Sequence, residues 1–522
     1  MKPSEIEDLK KGGVVKLKEK DMFSVWVKAV CNNMDSLKLR RVAEIAEKFG
    51  RGIILFTTRQ LPIIPFVHLD NIGIVKEELK KIELTLDRCG ARVRNADVCY
   101  DSNICKYAIL DPISLGEKLD YFWKQDPGGF KIKISIVGCP KQCTSPRTLG
   151  DIGFVANQHD ALKGYDAYLG GKLGLEPFIG IKMVELLDEN ECVNFVRNYC
   201  KLIKTEGIEG ERSADLIKRV GVNTVKKAVN FNLKEKFSVN DTKCATKTSE
   251  EMLGTLILRV RATNGEVGSV QAKKIAEVAE KYGLGFVHFG LRGSPEIPGV
   301  KADFFDTAKK ELEMSGISII DSGVDNLQSC FGSYCTNGIF DVQGLLRKVE
   351  KLSYEVGLNN NNIKISASGC PNNCGISFLS DIGYVGVVDP EIIEEKCNGC
   401  GICVKACRVK AISIVDNFAK IDKDKCKNCD QCIKSCPFDS IIERRKGIAI
   451  LVGGTGPHFK DDIDYPSEVK LAEKLIDFID ETQVLRITEN IFNFIKEKNM
   501  NVSGIIDEIG MQKFKELVPG EI

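Results

Sequence analysis

An internal repeat limits what this chain can fold into more than any other feature. Val27-Lys28-Ala29-Val30 through Val42-Ala43-Glu44-Ile45-Ala46-Glu47-Lys48-Phe49-Gly50 returns as Val260-Arg261-Ala262 through Ile275-Ala276-Glu277-Val278-Ala279-Glu280-Lys281-Tyr282-Gly283. Each copy predicts a strand, then a helix with apolar residues at i, i+3 and i+4, then a glycine stop. A second strand follows in each, Ile53-Ile54-Leu55-Phe56 and Gly285-Phe286-Val287-His288, and then an arginine, Arg59 or Arg292, with Pro65 or Pro298 six residues on. Next come Cys139/Cys143 and Cys370/Cys374, each pair trailed by Asp-Ile-Gly-aromatic at Asp151–Phe154 and Asp381–Tyr384. The tails agree as well, Gly221–Val229 with Gly510–Val518. Chance similarity of amphipathic helices does not place so many features in one order, so the chain is a tandem duplication.

The copies differ in length. The cysteine pairs stand 231 residues apart (139 to 370) and the tails 289 apart (221 to 510), so about 58 residues were added to copy two. They fall between Val388 and Gly447 and read Cys397-x2-Cys400-x2-Cys403-x3-Cys407, then Cys426-x2-Cys429-x2-Cys432-x3-Cys436-Pro437. This is the run of a two-cluster ferredoxin, in which the fourth cysteine of each run serves the other cube. Cys397, Cys400, Cys403 and Cys436 are expected on one [4Fe–4S] cube, and Cys426, Cys429, Cys432 and Cys407 on the other. A lone Cys-x2-Cys would also suit zinc; eight cysteines closing on Cys-Pro favour iron and sulfur. The segment from Asn230 to about Glu251, rich in Lys, Thr, Asn and Ser, is the expected linker.

Composition supports that choice. The 522 residues suit two to four domains, and a net charge of +1 gives no polyanion-binding signature. No apolar run is long enough for a membrane span, and the first residues lack a secretory pattern, so the expectation is a cytoplasmic protein with neither nucleic acid nor membrane as partner. In such a setting 21 cysteines point to metal rather than disulfides, and to life at low oxygen.

Cys99-x5-Cys105 precedes Cys139-x3-Cys143, and with the duplication, the Asp-Ile-Gly flanks and the ferredoxin insert the chain resembles the siroheme-dependent sulfite and nitrite reductases, in particular the dissimilatory and anaerobic sulfite reductases. The resemblance implies an α+β fold of two reductase halves related by a pseudo-twofold, with the ferredoxin-like domain inserted in the second. The implied domains are 1–75 and 76–232 (a ferredoxin-like half domain and a siroheme/[4Fe–4S] domain), a linker at 233–251, then 252–310, 311–388 with 447–522, and the insert at 389–446. It further implies one or two sirohemes and one or two cubes coupled to them, held by Cys99, Cys105, Cys139 and Cys143 and by Cys330, Cys335, Cys370 and Cys374. The last cysteine of each set, Cys143 or Cys374, would also ligate the siroheme iron. Cys330 and Cys335 stand one residue closer than the family spacing.

The family uses two arginines and two lysines on its small oxyanion, and copy one has them at matching places: Arg59, Arg94, Lys131 and Lys133. Alternation in Phe130-Lys131-Ile132-Lys133 puts both ammonium groups on one side of a strand. The plainer reading is a solvated strand face, with the arginines gripping haem carboxylates. Copy two keeps Arg292 and Lys364 as cofactor contacts, but has Asp325 (or Val324) where copy one has Arg94, and Asn362 where it has Lys131. The resemblance sets the cations of one half against the cube of the other, so the competent site would join copy one's cations to Cys330, Cys335, Cys370 and Cys374. The reciprocal site would be structural or an electron store. The implied activity is six-electron reduction of sulfite to sulfide, fed through the insert by an external ferredoxin or a redox partner protein. Ammonia-forming nitrite reduction and a non-catalytic siroheme or electron-transfer protein are the alternatives, and a homo-oligomer is compatible with each. Cys31, Cys89, Cys192, Cys200 and Cys244 lack partners at ligand spacing and read as ordinary residues, as do the four histidines.

Overall fold

The computed structural model describes residues 1–125, 127–235, 255–320, 324, 327–358, 363–456 and 469–518. Asp325, Asn362, Cys244 and most of the expected linker lie outside them. The chain divides into two compact units, one built mainly from Met1–Lys172 and Pro177–Asp321, the other mainly from Ser322–Gly456 and Glu468–Ile522. Among the described residues no helix is long and apolar enough to cross a membrane.

The repeated helices form where periodicity and caps agree. Ser36–Phe49 begins where the Asp35 carboxylate accepts the Lys38 N–H and stops at Gly50, burying Leu39, Val42, Ala43 and Ala46. Ser269–Tyr282 repeats it, burying Ala272, Ile275, Ala276 and Ala279 before Gly283. The strands ahead of them end at Trp26 and Arg259, one residue before the repeated Val27 and Val260, which instead bridge to Leu86 and Ile319.

In the first unit the two half domains exchange strands. Asn33–Asp35 of copy one pairs antiparallel with Phe286–His288 of copy two, while Glu266–Gly268 of copy two pairs with Ile53–Leu55 of copy one. The helices pack together with reciprocal surface ion pairs, Arg40 to Glu280 and Lys273 to Glu47. These exposed pairs add little stability. Phe56 and its repeat mate Phe289 stack with ring centroids 5.1 Å apart.

The larger sheets are also repeats of one another. Asp97–Val98, Ile134–Val137 and Ile152–His159 run parallel, with Leu162–Leu169 and Ile181–Leu187 added antiparallel. In the second unit Gln328–Ser329, Ile365–Ser368, Ile382–Ile392, Ile441–Val452 and Glu473–Ile479 take the same order and sense. Each sheet is covered by a long helix opened by a capping box, Glu189–Glu206 and Glu481–Lys498. The insert replaces a hairpin tip. Its flanking strands stay paired beyond Val388 and Gly447, out to Ile392 and Ile441, before the chain enters two short helices and the hairpin Ile412–Val415/Phe418–Ile421.

Strand exchange requires close backbone approach. Gly265 holds φ +69°, and a Cβ there would lie 1.7 Å from the Phe56 carbonyl oxygen. Gly265→Ala is therefore expected to destabilise the protein by about 2 kcal/mol or more, read as a lower midpoint in chemical denaturation. An unchanged midpoint would show that the approach has room to relax.

Candidate active site

Four sequence-predicted cations come together in the first unit. Ile132 bridges Val93, and the Arg94 N–H donates to the Ile132 carbonyl at 2.9 Å, which sets Arg94 beside the extended Lys131–Lys133 segment. Arg59 lies beyond the strand Ile53–Phe56, and the Asn32 amide holds its loop by donating to the Gln60 carbonyl at 2.9 Å. The Asn32 side-chain oxygen accepts the Val98 N–H at 2.6 Å, tying that loop to the strand Asp97–Val98.

Burial and mutual repulsion both act on these charges. Burial, then Arg212, Arg94 and Lys133, hold the Lys131 pKa well below its ordinary value. Lys133 is pushed down to about 8 by burial and by Arg59, and Arg94 to about 10 by burial and Arg59. Burial works against Arg59 too, but Asp87 holds its pKa above the usual value. Asp87 is buried and accepts from the Arg59 guanidinium, from the Asn95 N–H at 2.9 Å and from Trp123 Nε1 at 3.1 Å. Arg94 donates to the Gly90 carbonyl at 3.2 Å. Among the described residues neither lysine ammonium has a hydrogen-bond or ion-pair partner, and Arg59 Nε and Arg94 Nε are buried without one. Arg94 is buried and Arg59, Lys131 and Lys133 are half-buried, so four cations share a partly desolvated patch in which each disfavours its neighbours' charge.

Sequence reasoning missed three of its members. Arg212, at the head of the helix Ser213–Val220, forks onto Asp151 at 2.8 and 3.0 Å. Asp97 is buried near Lys133, and burial raises its pKa to about 7. Cys89, an ordinary residue by its spacing, is buried among Arg94, Arg59 and Lys131. The available signal was the repeated Asp-Ile-Gly: a buried carboxylate in both copies needs a donor.

Copy two is different. Val324 bridges Ile363 as Val93 bridges Ile132, so the register matches Arg94 with Asp325 rather than Val324, and Lys131 with Asn362. Lys364 is buried and its ammonium donates to the Gly456 carbonyl. Arg292 is buried in the first unit.

The cysteines gather in the predicted sets. Burial first, and neighbouring thiols that include Cys105, raise the pKa values of Cys99, Cys139 and Cys143; Cys139 reaches about 11 and Cys143 about 12. Burial first, and then the nearby Cys374, raise the pKa values of Cys330, Cys335 and Cys370, so the shorter Cys330–Cys335 spacing does not separate them. In the insert, Cys397, Cys400, Cys403 and Cys436 line a single cavity. Cys426, Cys429 and Cys432 are neighbours, and Cys407 shares the insert's small core with Cys432. Among the described residues no three ligand side chains converge tightly enough to hold a single ion, whereas a cube spreads four thiolates over separate irons. Backbone N–H groups point at several sulfurs, including Gly138 to Cys99, Gly332 and Gly369 to Cys330, and Ala411 to Cys407, each at 3.2 Å. Packed, mutually repelling thiols that accept amide hydrogens fit thiolates bound to iron. Of the remaining cysteines, Cys31 and Cys192 are buried and Cys200 is half-buried.

Both runs of the insert touch the loops of the second quartet: from the second run Gln431 donates to the Asn337 side chain at 3.2 Å and Lys434 to the Thr336 carbonyl at 3.0 Å, and just past the first run Arg408 donates to the Asn372 side chain.

Both halves match known domains. Residues 89–237 and 321–522 match the nitrite and sulphite reductase 4Fe–4S domain, and 15–82 and 250–315 the nitrite/sulfite reductase ferredoxin-like half domain. The chain belongs to the nitrite and sulphite reductase family. It is 31% identical over 280 residues to the coenzyme F420-dependent sulfite reductase of Methanocaldococcus jannaschii, covering 52% of this chain and 44% of that protein. It is 28% identical over 176 residues to one of the polypeptides of the anaerobic sulfite reductase of Salmonella typhimurium, covering 30% of this chain and 51% of that one. The chain thus spans about half the length of these curated relatives. The assimilatory ferredoxin-dependent nitrite reductase of Haloferax mediterranei is 21% identical over 70% of this chain and 71% of its own. The fold is that of the Mycobacterium tuberculosis NirA protein, with TM-score 0.70, 14% identity and coverage of 98% of this chain and 91% of that one.

Four loaded quartets hold roughly sixteen cluster irons, or twelve if one siroheme-type quartet stays empty, on the four-iron stoichiometry of such cubes. Iron analysis of anaerobically reconstituted protein should reach this range, with one or two more from siroheme. Eight or fewer would show that the quartets are not loaded together.

Proposed function

We propose that the chain reduces sulfite to sulfide by six electrons, using siroheme and [4Fe–4S] clusters, with electrons entering through the insert. The observation that carries this reading is the cluster of buried Arg94 with half-buried Arg59, Lys131 and Lys133, whose ammonium groups have no hydrogen-bond or ion-pair partner among the described residues, in a chain of this family. Sulfite is preferred because the relatives at 31% and 28% identity are sulfite reductases. Nitrite reduction to ammonia is the second reading, favoured by the Haloferax relative, which matches over 70% of the chain.

The residues divide the task. Arg59 and Arg94, arginines that stay charged, bind the oxyanion. Lys131 and Lys133 bind it too and, with lowered pKa values, release protons as its oxygens leave. Siroheme, when bound, supplies the iron that takes the substrate and passes it electrons. Cys374 or Cys143 would hold its iron, and Arg292 and Lys364 would meet its carboxylates. The second insert run, packed on the Cys335 loop, would carry the nearer cube of the relay, and an external ferredoxin-type protein would feed the farther one.

Steady-state kinetics with sulfite and nitrite as rivals tests the reaction. Lys133→Ala and Arg94→Ala should each lower turnover about 100-fold or more while cofactor absorption stays, as expected for loss of a preorganised cationic donor. Asn362→Ala and Asp325→Ala should change little. Lys133 donates as the protonated form, so turnover should fall as pH rises through about 8. Equal sensitivity at Asn362 or Asp325 would mean that both copies work.

Cys429→Ser tests the route. Turnover driven by a protein donor should collapse, while turnover driven by a small reductant and the siroheme spectrum persist. Parallel loss of all three would make the insert a folding element.

A further inference from the structure

Asp151 sits at the base of the lysine pair with both carboxylate oxygens occupied. Oδ2 accepts the Lys133 backbone N–H at 3.0 Å and Arg212 Nη2 at 3.0 Å; Oδ1 accepts Arg212 Nε at 2.8 Å and the Ser213 hydroxyl at 3.2 Å. The fork is the geometry in which arginine holds a carboxylate most firmly. A bare carboxylate here would draw in the two nearby ammonium groups and repel an incoming oxyanion. Copy two supplies the contrast. Asp381 accepts the Lys364 N–H at 2.9 Å, but at the place of Arg212 in the repeat stands Asn501, whose side chain caps the helix Val502–Ile509 by accepting the Gly504 N–H at 2.8 Å. Lys364 turns its ammonium to a backbone carbonyl. The copy with the arginine is the copy whose lysines are left for an anion.

We propose that Arg212 is a positioning residue for the oxyanion pocket, neutralising and anchoring Asp151 so that Lys131 and Lys133 stay available to the substrate. This rests on the reading of that patch as the sulfite or nitrite site. The charged and titratable groups around the lysines come from several elements: Arg59, Cys89, Arg94, Asp97, Asp151 and Arg212. Asp151 and Asp97 favour the protonated lysines, whereas Arg59, Arg94 and Arg212 disfavour them. Removing Arg212 takes away a neighbouring cation and uncovers an anion, so both changes raise lysine proton affinity.

The test uses the holoprotein with Arg212→Gln, Arg212→Lys and the double variant Arg212→Gln/Asp151→Asn. Sulfite binding is followed by calorimetry and turnover by kinetics, with thermal melting as the folding control. Arg212→Gln should weaken sulfite binding and raise KM about tenfold or more, and should move the alkaline limb of the pH profile to higher pH. Arg212→Lys, which keeps the charge without the fork, should recover part of the loss. The double variant, which removes both charges, should bind more tightly than Arg212→Gln alone. Should the double variant be no better than the single one, or the limb stay in place, Arg212 is only a strut and the inference is overturned. If sulfite binds the wild-type protein but neither anion is reduced, the proposed reaction fails while the binding comparison still decides the role of Arg212. Absence of sulfite binding to wild type would overturn both.

Discussion

Holding several cations close together in a half-buried patch is the constraint on which the site depends, and two buried carboxylates meet it. Asp87 takes the Arg59 guanidinium, the Asn95 amide and the Trp123 indole. Asp151 takes the Arg212 fork and the Lys133 amide. Each ties one arginine to one backbone amide, so the charge that stabilises the patch also sets its geometry. The arginines absorb the counter-charge because the guanidinium fork matches a carboxylate. The lysines are left over, and they are the residues able to lose a proton near neutral pH.

The duplication places different polar residues on one framework. Both copies supply the same framework: exchanged strands, a parallel-to-antiparallel sheet, and an Asp-Ile-Gly carboxylate that accepts the amide of the lysine strand. The polar residues placed on it have diverged. Asp87 becomes Ile320 and Arg212 becomes Asn501 in the matching positions, and neither replacement disturbs the backbone pattern. A repeat can lose a pocket while keeping its fold because the framework is held by apolar burial and backbone pairing, whereas the pocket is held by a few charges.

The insert uses a place the framework already offers. A hairpin tip is the least constrained point of an antiparallel pair, and lengthening Ile382–Ile392 and Ile441–Val452 carries the cysteine runs outward without breaking the ladder. Polar contacts at Asn337 and Thr336 then hold the second run on the loop of Cys335, and Arg408, just past the first run, reaches Asn372 between Cys370 and Cys374. Cysteine spacing alone suggested the two runs of the insert, since a cube demands fixed separations along the chain. How the runs meet the second quartet was not readable, because side chains distant in sequence decide it.

The sequence by itself determined the duplication and the helices with their glycine stops, because each is written as a local period or cap; the four cations were named only through the family resemblance. Even the match of Arg94 with Asp325 needed only the bridge of Val93 to Ile132 and its repeat at Val324 and Ile363 to remove a one-residue ambiguity. Tertiary structure alone decided the strand exchange, the partnering of Arg59 with Asp87 and of Arg212 with Asp151, and the arrival of Cys89 and Asp97 among the cations. Charge pairing through space leaves no period in the chain, so a buried carboxylate and its arginine 61 residues away become legible only once the fold has brought them together.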